Sequence, residues 1–161
     1  MSTQGAWLVD NGYMRKNSSF SMDYLKTRRR LAEDVDVSWL KMFIFDGVDE
    51  SSPDSQGKAV LYNVLRANGA IVRRHPMTDG KQRRVDVDIG VHLIWQATLP
   101  EVKVIVLSTG DQDLIPAVEM AQQKFGKEVI LATFSMSVND ELRRHVKRCV
   151  EFEDFAAQVM R

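Results

Sequence analysis

At 161 residues the chain suits one ordinary domain, long enough to bury a real core and too short to divide comfortably into two. Its 22 Lys and Arg balance 22 Asp and Glu, so bulk charge argues neither for nor against nucleic acid, membrane or acidic substrates, and only local clusters are informative. With 44% hydrophobic and 27% charged residues the chain is too apolar for disorder, and its single cysteine, Cys149, excludes an internal disulfide framework or a cysteine-based metal site, which fits a reducing, cytoplasmic compartment.

The N-terminal segment MSTQGAWLVDNGYMRKN has no basic stretch ahead of an apolar one, so neither a targeting signal nor a membrane span is expected. A first strand is predicted over Ala6 to Val9, ending in Asp10-Asn11-Gly12. The spacing of apolar residues then predicts a helix from Phe20 to Glu33, with Arg28-Arg29-Arg30 complementing its C-terminal dipole. Trp39 to Phe45 forms the second strand, Ser51 to Ser55 a loop ending in a helix N-cap, and Gln56 to Asn68 a helix that Gly69 closes in a left-handed cap. Ala70 to Val72 is the third strand, and His75 to Gly80 a turn-rich exposed connection.

The next segment, VDVDIGVHLIW, alternates like a strand until Ile94-Trp95 breaks the pattern; a helix from about Asp86 to Ala97 accounts better for Ile89 and Leu93. Val102 to Leu107 is a strand, Leu114 to Phe125 a helix closed by Gly126, Val129 to Ala132 a strand, and Asp140 to Lys147 a helix before a last strand around Cys149. Strand and helix in repeated order imply right-handed crossovers and an α/β fold, a mainly parallel sheet with helices on both faces. Ligands of such sheets bind beyond the carboxyl ends of the strands.

That rule selects few positions. Asp10 follows the first strand, Asp111 and Asp113 follow the strand ending at Leu107, and Asp86 opens the central helix behind a basic loop. Carboxylates about 5 Å apart repel by roughly 3 kcal/mol at an effective dielectric near 20, so a proton, a basic side chain or a bound cation must compensate. Oxygen ligands favour Mg²⁺ or Mn²⁺ over zinc, and such an ion suits phosphodiester hydrolysis without a protein nucleophile. No Gly-x-Ser-x-Gly elbow, phosphate-binding Gly-x-x-x-x-Gly-Lys loop or Gly-x-Gly-x-x-Gly fingerprint competes with this.

Local explanations also exist. Asp113, three residues before Pro116, suits a helix N-terminus, Asp111 beside Gly110 suits a turn, and Asp88 reads as a solvated helix residue. Arg73, Arg74, Lys81, Arg83 and Arg84 form a basic group that leads into Asp86, with Arg83 and Arg84 as the candidates for a phosphate backbone. His75 and His145 read as surface residues, His92 as a histidine on an apolar face satisfied by a backbone partner or, if it points into the site, a general acid or base, and Trp7, Trp39 and Trp95 as core or interface residues.

The motifs WLVDNG, RRVDVDIGV and VIVLSTGDQDLIP followed by GKEVIL resemble, in order and spacing, those of the NYN domain family of the PIN-like nuclease superfamily. The resemblance implies a Rossmann-like α/β/α sandwich, one domain across residues 1–161, whose Asp10, Asp86, Asp111 and Asp113 bind Mg²⁺ or Mn²⁺ and cleave RNA. Asn11 would orient water, metal or phosphate, and Thr109 would bond to a carboxylate or phosphate. Many members carry further acids where His92 stands and near Lys147. Their loss points to one metal, a changed substrate, or a catalytically weak module that binds RNA, a second copy or another protein as an adaptor. A small-phosphate hydrolase using the same acids is a third expectation.

Overall fold

The computed structural model describes residues 3–48, 55–77 and 83–161. Six strands form one all-parallel sheet: β1 (Gln4–Asp10), β2 (Trp39–Val48), β3 (Ile71–Pro76), β4 (Val102–Ser108), β5 (Glu128–Thr133) and β6 (Arg148–Glu151). Their spatial order is β3-β2-β1-β4-β5-β6, the doubly wound arrangement. Among the described residues seven α-helices accompany them: α1 (Asn11–Asn17), α2 (Tyr24–Asp34), α3 (Ser55–Ala67), α4 (Arg83–Thr98), α5 (Ile115–Gln123), α6 (Asp140–Arg144) and α7 (Ala156–Val159).

The central strands are apolar on both sides because both sides are covered. Trp7, Val9, Met42, Ile44, Val104 and Val106 face one core with α1, α2, α3 and α7. Ala6, Leu8, Phe43, Phe45, Ile105 and Leu107 face the other, with α4, α5 and α6. Among the described residues no helix is long and apolar enough to cross a membrane.

Most predicted elements are present, and the differences have physical causes. The ambiguous segment is helical: α4 buries Val85, Ile89, Leu93 and Ala97 against the sheet. Gly69 and Gly126 end α3 and α5 with φ of 87° and 67°, in the left-handed region. Asp23 sets the start of α2 later than predicted, since its carboxylate caps the backbone N–H groups of Leu25 and Lys26. His75 and Pro76 belong to β3 rather than to a turn; Thr78 to Gly80, Lys81 and the predicted Ser51 to Asp54 loop lie outside the described residues.

Of the tryptophans only Trp7 is core, its indole donating to Ser108 Oγ at 2.9 Å. Trp39 and Trp95 are nearly half exposed, at 43% and 46%. Arg28 stacks on Trp39 with its guanidinium 4.1 Å from the ring centre and donates to the Asn68 carbonyl at 3.0 Å. It therefore serves the end of α3, not that of its own helix.

A candidate acidic site at the switch point of the sheet

The chain leaves β1 toward one face of the sheet and β4 toward the other, so a crevice opens where these neighbours end. Asp10 is the last residue of β1 and the N-cap of α1. Its Oδ1 accepts from the Tyr13 backbone N–H at 3.2 Å and its Oδ2 from Thr109 Oγ1, also at 3.2 Å. Thr109, fully buried just beyond β4, accepts in turn from the Asp111 backbone N–H at 3.2 Å. One hydroxyl thereby joins the two strand-end acids.

Asp111, not Asp113, provides the cap: its Oδ1 accepts from the Asp113 backbone N–H at 2.9 Å and opens the 3-10 turn Gln112–Leu114. The reason is positional, because the turn starts one step before α5 and places Asp113 inside it, with its side chain exposed on the rim. Gly110 must be small. A Cβ there would come within 3.3 Å of the Tyr13 ring, which is held by Ser137 and by the Phe134 backbone N–H.

Asp86 enters from the first turn of α4, close enough to Asp111 and Asp10 for their charges to act on it. Partial burial, then the charges of Asp111 and Asp10, push it up to about 7. Burial also raises Asp10, against the hydrogen bonds from Tyr13 and Thr109 that favour its charge. Among the described residues no Lys, Arg or His forms an ion pair with any of the four acids. Nor do three His, Cys, Asp or Glu among them already stand as a ready-made metal cage. The oxygen-only set still fits Mg²⁺ or Mn²⁺, since Mg²⁺ usually keeps several waters and needs only one or two carboxylates.

Two predicted residues are placed differently, and a third as expected. Asn11 is buried, its amide donating to Tyr62 Oη and accepting from Tyr24 Oη, both at 2.7 Å; its side chain belongs to an internal network. Asp88 is buried rather than solvated: Arg73 Nε lies 2.9 Å and His75 Nε2 2.6 Å from its Oδ2. His92 does occupy an apolar face, beside Phe43 and Phe45, and its Nδ1 stands 2.9 Å from both the Asp88 carbonyl and Oδ1. Arg73 and His75 are therefore engaged with Asp88. Arg83 and Arg84 are exposed at the start of α4, on the rim near Asp86.

Asp88 shifts in the opposite direction to Asp86. Burial alone would raise its pKa, but the bonds from Arg73 and His75 and the charge of His92 outweigh it and hold the carboxyl below its usual range. Its ionised form thus contributes stability above the ordinary Asp value, about 3.9, and that contribution fades as the pH falls through the lower folded value. Asp88→Asn is expected to lose about 2 kcal/mol of stability at pH 7, the scale of hydrogen bonds to a charged group, and to converge with the unaltered chain in acid. Urea melts at pH 7 and pH 3 check this.

Asp46 was missed by the sequence reading. It is fully buried near the end of β2, accepts from Tyr62 Oη, and pairs with Arg15 Nη2 at 2.8 Å. The signal was present: FIFDG repeats the pattern of an apolar run ending in Asp that singled out WLVDNG.

The NYN domain model matches residues 7–153 of this chain. The crystal structure of VPA0982 from Vibrio parahaemolyticus RIMD 2210633, a protein of unknown function, aligns at a TM-score of 0.75 with 22% identity, over 95% of this chain and 94% of that one. At this identity the likeness is one of fold. No curated protein matches the chain at a significant level.

Proposed function

The chain belongs to the NYN domain family of the PIN-like nuclease superfamily, and on that footing we propose that it is a cytoplasmic, divalent-metal-dependent ribonuclease. The observation that carries the reading is the approach of Asp86 to Asp111 and Asp10 with, among the described residues, no basic side chain paired to them, an arrangement that calls for a cation or a proton. Mg²⁺ or Mn²⁺ held there would stabilise charge on the phosphate and acidify an attacking water.

Asp10 and Asp111 would hold the ion from the two strand ends and Asp86 from α4, with Asp113 at the rim. Thr109 keeps Asp10 and Asp111 in fixed relation through its two hydrogen bonds. Arg83 and Arg84 would bind the RNA backbone where it crosses the rim. The test is incubation of a mixed single-stranded RNA pool with the purified chain. Fragments are expected in Mn²⁺ or Mg²⁺ and none in EDTA; cleavage that persists in EDTA overturns the metal mechanism.

One observation favours a second reading, an inactive module that retains RNA or binds a protein partner. His92, where many members of the family carry an acid, is packed on Phe43 and Phe45 and turned toward Asp88. RNA binding without cleavage in either metal, together with a stable partner, would favour it.

A further inference from the structure

Among the described residues, three basic side chains gather near the carboxyl end of β2, the strand beside the one that ends in Asp10. Arg15 lies 2.8 Å from one oxygen of Asp46, and Lys58 Nζ lies 3.7 Å from the other. Arg74 stands opposite Asp46 on β3, its guanidinium 5.3 Å from the centre of the Tyr62 ring. Its Nε is buried and makes no hydrogen bond among the described residues. Among the described residues two cations therefore approach one carboxylate that a single cation would neutralise, with a third on the neighbouring strand.

Neutralising a buried acid explains Arg15. It does not explain Lys58 at a longer distance, or Arg74 with an unsatisfied donor. Arg15 and Lys58 also line, with Asn11, Phe20, Tyr24 and Arg161, a cleft of about 210 Å³. Asn11 and Arg15 belong to α1, which Asp10 caps, so the cleft lies along the helix that starts at the first of the acids. Asp10 at the start of α1 thus belongs to the acids, and Arg15 further along the same helix belongs to the cleft with Lys58.

We propose that Arg15 and Lys58, reinforced by Arg74, form a cradle for a backbone phosphate of a single-stranded nucleic acid whose neighbouring phosphodiester reaches the acids. The identity of the substrate rests on the nuclease reading, whereas the cradle itself is tested by binding alone. Phosphate contacts carry no information about base or sugar, so the cradle holds RNA and DNA of the same sequence alike.

Fluorescence anisotropy of a labelled ten-nucleotide strand, in EDTA and across a salt series, decides the matter. Lys58→Gln leaves Asp46 paired with Arg15 and is expected to keep the melting temperature of the unaltered chain. It should weaken binding roughly tenfold at low salt. The slope of log affinity against log salt should become shallower by about 0.7, the value of one single-strand phosphate contact. The loss should be equal for RNA and DNA. Lys124→Gln, exposed beyond the end of α5, should change neither quantity.

Affinity and slope unchanged in both Lys58→Gln and Arg15→Gln would overturn the cradle, as would a loss no larger than that of Lys124→Gln or no strand binding by the unaltered chain. Absence of cleavage in Mn²⁺ with the binding loss intact would overturn the ribonuclease reading and leave the cradle standing.

Discussion

Asp111→Asn is expected to lower metal-stimulated RNA cleavage by a hundredfold to a thousandfold, roughly the range found when a group acting on transition-state charge is removed. The fold should not suffer. Asn caps a helix start about as well as Asp, so the bond from the Asp113 backbone N–H persists, and the Asp111 N–H that meets Thr109 is backbone. Removing one charge from beside Asp86 relieves repulsion, so the metal-free melting temperature should stay level or rise. A variant that loses cleavage and melts much earlier would mean that Asp111 acts through structure.

The pH dependence of the metal-free chain gives an independent check. Asp86 holds its proton up to about 7 in the fold, against about 3.8 as its ordinary value. The stability that this protonated carboxyl contributes is complete below the ordinary value and is lost as the pH rises to about 7. Thermal melts in EDTA should therefore fall between pH 4 and pH 8 for this chain and fall less for Asp86→Asn. Mg²⁺ or Mn²⁺ at pH 8 should restore the difference, because a ligand bound only by the folded state stabilises it.

The sheet was legible because β1, β4 and β5 are buried on both sides and appear as uninterrupted aliphatic runs. The helix α1 was not. NGYMRKN is too short to show a period, and Asp10 serves at once as strand end and helix cap. Asp10 and Asp111 stood out because the chemistry of a strand end is local. The pairs that escaped notice join separate elements: Arg15 with Asp46, Arg73 with Asp88, Tyr62 with Asn11. Asp88 shows the limit well. Two positions beyond Asp86 it does turn to another side of α4, but that side meets Arg73 and His75 of β3 instead of water.

Asp46→Ala is expected to be the most destabilising single change among those considered. Breaking a buried charge pair by removing one partner typically costs about 3–5 kcal/mol. Arg15 is 43% exposed and can turn to solvent, which favours the lower end of that range. Tyr62 cannot. Burial, then the charge of Asp46 and the bond to it, raise its hydroxyl well above the ordinary range, so it stays protonated and loses its acceptor. At about 2–4 °C per kcal/mol for a domain of this size, the melting temperature should drop by roughly 10 °C.

Tyr62→Phe, which keeps both charges and removes only the relay to Asn11, should lose about 1–2 kcal/mol. Measuring both variants separates charge from relay. The decisive sign comes from binding at a temperature where Asp46→Ala is still folded: freed of their counter-charge, Arg15 and Lys58 should bind a single strand more tightly and with a steeper salt dependence. Stability falling while affinity rises is the outcome expected of a cradle held in check by its own carboxylate. If affinity falls together with stability, the cations serve Asp46 alone.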